Sequence, residues 1–339
     1  MKARRKRPWW VISVWAAVVV AVAIAVLQYI PSGQVMTSPG ITGNLESMVR
    51  VKNGNRPGPG RMLMVAIDIG TASEFQYLTR WLRPASAFQP EKLVFGPLNM
   101  NQYIQYNDAL MSQSQWSAKI AGERLAGLNA YVKTLPGALV MGVLKSGAAH
   151  GKLKPGDIIT AIGPYKVRRF SDLRTVMHRF KFGAVVNVTV DRQGHQLVIP
   201  ITTTKIKHDP DPALGILVGP RQKPVVPRPV AIHAGQIGGP SAGMMFALEI
   251  YDQITGKNIV HGKTVAGTGE ILSNGNVVEI GGVRQKVVTV YRAGARVFVV
   301  PKKNYPAAES MAKKMGYHMT ILPVTTIRQA LNDFQGATS

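Results

Sequence analysis

Gly238-Gly239-Pro240-Ser241-Ala242-Gly243 and Gly281-Gly282-Val283-Arg284-Gln285-Lys286 are the two stretches on which the reading of this chain turns. The first opens a helical segment from about Ala242 to Thr255, with Gly256 placed to stop it. Its glycines permit a tight approach. A helix that begins at Ser241 also aims unpaired backbone N–H groups at its surroundings, where they can stabilise an oxyanion. The second stretch opens a helix to about Ala293, in which Val283, Val287, Val290 and Ala293 share one face at the helical period. Lys286 projects onto that apolar face, while Arg284, Gln285 and Arg292 point elsewhere.

A serine hydroxyl needs a base to take its proton, and two bases present themselves. Lysine on an apolar stripe is costly while charged, and full desolvation lowers its pKa by up to about 3–5 units. A neutral amine beside a hydroxyl is the Ser–Lys form of nucleophile and base. On helix geometry alone this reading stands level with a lysine that snorkels outward along its stem. The other base would be histidine. The string is literally Gly-x-Ser-x-Gly, the elbow of α/β-hydrolases, with Asp252 and His261 or His318 as formal partners. Only about a hundred residues follow Ser241, too few for that sheet, and no strong strand runs into the elbow.

Outward from these stretches, short strands with turn signals fill the region from Leu135. Residues 137–143 (GALVMGV) read as a strand and 153–163 (LKPGDIITAIG) as a turn feeding another. Residues 170–180 read as a helix capped by Ser171, and 184–201 as a hairpin around Gln193-Gly194. Together they resemble the PDZ domain of bacterial exported proteases over roughly 120–205, Leu153-Lys154-Pro155-Gly156-Asp157-Ile158-Ile159 being the most specific piece. PDZ domains add a peptide to a sheet edge. The resemblance places that edge at 137–143, opposite helix 171–181, with Gly137, Leu139 and Met141 as peptide-binding residues.

GPSAG, Thr268-Gly269-Glu270-Ile271, GNVVEIGGVRQK (275–286) and RAGARVFVVPKKN (292–304), in that order, resemble the proteolytic domain of Lon over about 210–335. That resemblance breaks the tie. It places Ser241 on the nucleophile and Lys286 on the catalytic lysine. Thr268 falls on a threonine that orients the amine, with Gly239 and Pro240 supporting. It implies an α+β fold that carries the dyad at the ends of two helices. Two departures stand out: Ile237 and Gly238 occupy the places of a charged Lys-Asp pair in cytosolic Lon, and no ATPase module accompanies the domain. The nearest thing to a phosphate loop, Gly256 to Thr264, has one residue too many.

At the N-terminus, Lys2, Arg4, Arg5, Lys6 and Arg7 precede an uncharged run from Pro8 to Pro31, flanked by Trp9, Trp10 and Tyr29. About 20 apolar residues cross a bilayer, and basic residues before a span hold that end in the cytoplasm. The run exceeds a signal peptide's apolar region, and no clear cleavage site follows it. The expectation is a single-pass anchor, N-terminus cytoplasmic, with the catalytic part extracellular. The order of anchor, PDZ domain and Lon domain resembles the YlbL-like proteins of Gram-positive bacteria. The expected division is 1–31 basic tip and transmembrane helix, 32–119 linker and accessory segment, 120–207 PDZ domain, and 208–339 proteolytic domain. Within the accessory segment, 61–69 reads as a strand and 101–130 as a helix, and neither offers chemistry.

Composition narrows the rest. Hydrophobic residues at 46% and charged residues at 17% of 339 are those of folded protein. The absence of cysteine excludes disulfides, a thiol nucleophile and thiolate metal sites. The seven histidines form no His-Glu-x-x-His pair, so no metal or other cofactor is expected. A net charge of +24 suits an anionic surface, but no nucleic-acid motif accompanies it. Expected partners are the membrane and peptides or flexible protein segments, without ATP or nucleic acid. The function expected is ATP-independent serine endopeptidase, the alternative a degenerate PDZ adaptor that binds peptides without cutting them.

Overall fold

The computed structural model describes residues 9–56, 58–96, 98–144, 147–205 and 211–338, excepting the side chains of 9–12 and 338. The basic tip at residues 2–7 therefore lies outside the described residues. The chain forms two compact units, Met1–Ala130 with Val226–Ser339, and Tyr131–Val225.

The larger unit is built on a six-stranded mixed sheet. Its order is Thr320–Val324, Val297–Pro301, Thr264–Gly267, Arg61–Ser73, Pro31–Asn44, Ala87–Pro90. The first four strands run parallel and the last three antiparallel. Parallel strands covered on both faces read as continuous apolar runs, and Val297–Pro301 (VFVVP) does so, with Phe298 to Pro301 buried. Alternation along Arg61–Ser73 divides the core. Met62 and Met64 face the serine helix (Gly243–Thr255), while Leu63 and Val65 face the lysine helix (Val283–Arg292). The two helices therefore lie on opposite faces of one sheet.

The serine helix is buried from Gly243 to Gln253, because the long helix Met100–Leu125 and the C-terminal helix Ile327–Thr338 pack over it. Small residues let the long helix approach: a Cβ on Gly122 would come within 2.6 Å of Ala247 O. Gly256 ends the serine helix in the left-handed region at φ 67°, as its position in sequence led one to expect.

The prolines and glycines of residues 32–60 read as linker and turns, yet 32–44 belong to the 14-residue strand Pro31–Asn44. Its prolines and glycines mimic turn punctuation. Pro39 sits at an irregularity in the pairing with Arg61–Ser73, beyond the stretch 34–37 that pairs on the other side. Such places tolerate a residue without an N–H. Residues 32–119 thus supply three strands of the sheet and most of the long helix.

The smaller unit is an antiparallel sheet ordered Ile216–Val225, Tyr131–Val143, Ile158–Ile162, Val185–Arg192, His195–Thr202, with Tyr165–Lys166 beside Ile158–Ile162. The hairpin turns at Gln193 (φ 55°) and Gly194 (φ 88°), as expected. The helix spans Asp172–Met177, but Ser171 makes no capping hydrogen bond. Asp172 instead accepts from the backbone N–H of Arg168 (3.0 Å) and Arg169 (2.8 Å). One expectation is corrected. The strand holding Gly137, Leu139 and Met141 pairs on both sides, with Ile216–Val225 and Ile158–Ile162, and so is no edge. The outermost strand there is Ile216–Val225, a partner too far along the chain for local pattern to reveal.

Among the described residues no helix is long and apolar enough to cross a membrane. The first helix, Trp9–Tyr29, runs for 21 residues, four of them without described side chains. Val14, Trp15, Val18, Val19, Val20, Val22 and Val26 are all exposed along it.

Candidate active site

Ser241 closes the loop that leads into the serine helix. Gly239 takes a left-handed conformation (φ 85°) and donates its N–H to Asn107 O (2.8 Å). Ser114 Oγ donates to Pro240 O (2.8 Å), so the long helix grips the loop at two points. The serine helix has no side-chain cap. Its Gly243 N–H goes to Pro240 O (3.2 Å) and its Met244 N–H to Gly269 O (3.0 Å). Among the described residues the N–H groups of Ser241 and Ala242 have no acceptor.

Lys286 arrives from the opposite face. Gly282 starts the lysine helix at φ 70°, where a Cβ would meet the Ile67 side chain at 2.5 Å. One turn later Lys286, 2% exposed, reaches past the sheet at the carboxyl end of Thr264–Gly267. Its Nζ lies 2.7 Å from Ser241 Oγ and 2.9 Å from Thr268 Oγ1. Thr268 is fully buried and donates its hydroxyl proton to Ser241 O (3.0 Å). Its oxygen is then left to accept, which turns one amine N–H toward Thr268 and holds the nitrogen against Ser241 Oγ. Burial pulls the Lys286 ammonium from 10.5 down to about 7. The lysine is therefore buried rather than snorkelling, and the structure brings Ser241, Lys286 and Thr268 together, supported by Gly239 and Pro240.

The histidine alternative does not assemble. Asp252 lies nine residues into the serine helix, roughly 14 Å along its axis at 1.5 Å per residue; it accepts from Ile259 N–H (3.0 Å) and has His261 beside it, and neither borders the cleft at Ser241. His318 lines a separate hollow with Lys313 and Tyr317. Among the described residues no group of three or more His, Cys, Asp or Glu could hold a metal ion.

The serine and lysine open onto a cleft of about 790 Å³, lined by Ile41, Ala66–Ile69, the face of the long helix from Met100 to Met111, and Ala234–Ala242. Ile237 and Gly238 lie in this wall. Asp68, Asp108, Glu270 and Glu279 also border it, and burial raises the pKa of Glu270. Asn107 and Ser114 were missed in the sequence because the long helix reads as polar. The signal was there: Met111, Ser114, Ala118 and Ala121 form one buried stripe at helical spacing.

Comparison with known proteins follows the same lines. Residues 230–335 match the Lon protease (S16) C-terminal proteolytic domain, and residues 114–203 match the PDZ domain. A Lon protease of Lachnoclostridium phytofermentans is 38% identical over 93 residues, covering 27% of this chain and 11% of the relative. One from Chloroflexus aurantiacus is 33% identical over 105 residues, covering 30% of this chain and 12% of the relative. This chain thus spans only about a ninth of the length of these curated relatives. Among solved structures, the PDZ domain of an SdrC-like protein from Listeria innocua is 27% identical, covering 24% of this chain and 92% of that one, with a TM-score of 0.23. Residues 230–335 are thus similar to Lon-type (S16) proteolytic domains, and residues 114–203 to PDZ domains.

Proposed function

We propose that this chain is a membrane-anchored serine endopeptidase that needs no nucleotide and cuts peptides or flexible protein segments at the outer membrane face. The observation that carries the reading is the buried Lys286 amine, drawn to about 7 and held 2.7 Å from Ser241 Oγ. A base of that pKa is half neutral at neutral pH, which suits general base catalysis. Ser241 Oγ attacks the scissile carbonyl and passes its proton to Lys286 Nζ. The oxyanion accepts from the Ser241 and Ala242 N–H groups. Lys286 then protonates the leaving amine, and the acyl-enzyme remains as an ester. Water, deprotonated by the same amine, releases the acid and restores Ser241. Thr268 touches the amine and sets its orientation.

Independence from ATP draws support from the fate of Gly256–Thr264, which caps the serine helix and delivers the chain, through buried Ile259 and Val260, into strand Thr264–Gly267. The anchor draws support from the Trp9–Tyr29 helix. It is apolar on every side and uncovered by the rest of the protein over most of its described length, and such a helix needs an apolar surrounding. The basic residues 2–7 before it orient the remainder outward. In the smaller unit, which contains most of the PDZ-like region, peptides add along the outer edge of Ile216–Val225 and are selected there.

The test is covalent labelling of the full chain with a serine-reactive phosphonate, followed by peptide hydrolysis without nucleotide. Label at Ser241 and hydrolysis are expected, both lost in Ser241→Ala, with hydrolysis also lost in Lys286→Ala. A folded wild-type chain that takes no label and cuts no peptide would leave the adaptor reading in its place.

A further inference from the structure

The corner where the Trp9–Tyr29 helix enters the larger unit carries a second apolar surface. The helix passes through Ile30, whose carbonyl accepts from Glu74 N–H (2.8 Å), and Pro31 pairs with Ser73. It also packs against the helix Glu74–Leu78. The segment Glu74–Leu82 is therefore its neighbour. That segment ends in a 3-10 turn, Arg80–Leu82, and turns outward what a soluble domain would bury: Leu78 is 54% exposed, Trp81 74% and Leu82 59%. Tyr29 (87%) and Ile30 (43%) continue the same surface at the helix exit.

Charge accompanies it. Arg80 lies over the Tyr77 ring (4.6 Å) and Arg83 donates to Thr79 O (3.2 Å) and Oγ1 (2.7 Å). Among the described residues neither is ion-paired. Unpaired arginines beside an exposed tryptophan and leucines match the boundary between anionic headgroups and acyl chains, where indole rings settle and cations meet phosphate. A protein partner would equally cover leucines, but continuity with the apolar helix, which needs lipid along its own length, favours the bilayer.

We propose that Glu74–Arg83 is a second, interfacial membrane contact: Leu78, Trp81 and Leu82 seat in an anionic leaflet where the helix leaves it, with Arg80 and Arg83 on lipid phosphates. This rests on the anchoring reading above. Strand Arg61–Ser73, which feeds this segment, also lines the Ser241 cleft through Ala66–Ile69. Two attachments instead of one then fix the cleft's orientation to the bilayer, so that it meets chain segments close to the membrane.

The chain has no cysteine, so Leu82→Cys and, separately, Val18→Cys each carry a single nitroxide on the full chain reconstituted into vesicles containing phosphatidylglycerol. Relaxation by oxygen, which partitions into lipid, is compared with relaxation by a water-soluble nickel chelate. Both labels are expected to favour oxygen severalfold. At position 82 that preference should vanish with Arg80→Glu/Arg83→Glu or in purely zwitterionic vesicles, while position 18 keeps it. Lipid contact at 18 with water contact at 82 overturns the proposal and leaves the anchor standing. Shelter from both relaxants at 82 means a protein covers the patch, and also overturns it. Water at both positions removes the anchoring reading, and this proposal with it.

Discussion

Replacing Lys286 by methionine should make the protein more stable while removing its activity. Holding an amine in a site where its pKa is about 7 rather than 10.5 costs about 5 kcal/mol at neutral pH, at 1.36 kcal/mol per pKa unit. Methionine fills similar space without that penalty. It leaves Thr268 Oγ1 and Ser241 Oγ without the amine donor, at a cost of about 1–3 kcal/mol for the buried acceptor. The net gain is about 2–4 kcal/mol, and for a unit this large each kcal/mol moves Tm by about 2–4 °C. The sign of the pH dependence follows from proton binding. Between pH 7 and 10.5 the unfolded parent binds a proton at this lysine that the folded parent does not, so the parent gains stability as pH rises. The methionine variant lacks that slope. Its advantage should be full below pH 7 and shrink by about 1.4 kcal/mol per pH unit above it. Thermal unfolding of both proteins in detergent across that range is the assay. A variant less stable than the parent at pH 7, or a gap that does not close with pH, would refute the claim that the amine is held dry and unwillingly neutral.

Peptide hydrolysis should rise with pH about a midpoint near 7, where burial has drawn the lysine, falling about tenfold per pH unit well below it because only the neutral amine accepts the serine proton. Thr268→Val should slow cleavage and move that midpoint lower, since the lost oxygen accepts from the charged amine more strongly than from the neutral one; an unmoved profile in stopped-flow assays would count against its contact with the base. Gly243→Ala should lose most of kcat, because the added Cβ would overlap Ser114 Oγ and lie 2.8 Å from Ile271 Cγ2. Adding Ser114→Ala should recover part of that loss, read by kcat alongside Tm. A fragment beginning at residue 208 should fail to fold, since Thr264–Gly267 loses Arg61–Ser73 as its neighbour and the serine helix loses the long helix; a sharp, cooperative melt of that fragment would contradict this.

The chemistry was legible because it is written locally. Ser241 and Lys286 each stand within a few residues of the glycines that place them, and the apolar stripe Val283, Val287, Val290 identifies the buried face on which Lys286 sits. The scaffold was less legible because it is assembled from afar. Strand Pro31–Asn44 spends glycine and proline where a strand ordinarily has β-branched residues, and only its partner Arg61–Ser73 and the short Ala87–Pro90 stretch make a strand of it. The same holds in the smaller unit, where Ile216–Val225 joins the sheet outside Tyr131–Val143 from some seventy residues away. Pattern told that 137–143 is a strand; it could not tell that its edge was taken.

This division bears on how the dyad works. A serine and a lysine on one helix would face each other at fixed spacing and share one environment. Here they ride on helices from opposite faces of a sheet, and they meet only because the strand Thr264–Gly267 ends between them and passes Thr268 to both. Strand Arg61–Ser73 holds that end in place on one side and Val297–Pro301 on the other. Thr268 N–H is itself tied to Val299 O (2.9 Å). The position of the amine relative to the hydroxyl is thus set by sheet register, the most rigid feature available to the fold. Side-chain freedom is left with little to decide, which is how a flexible lysine can serve as a precise base.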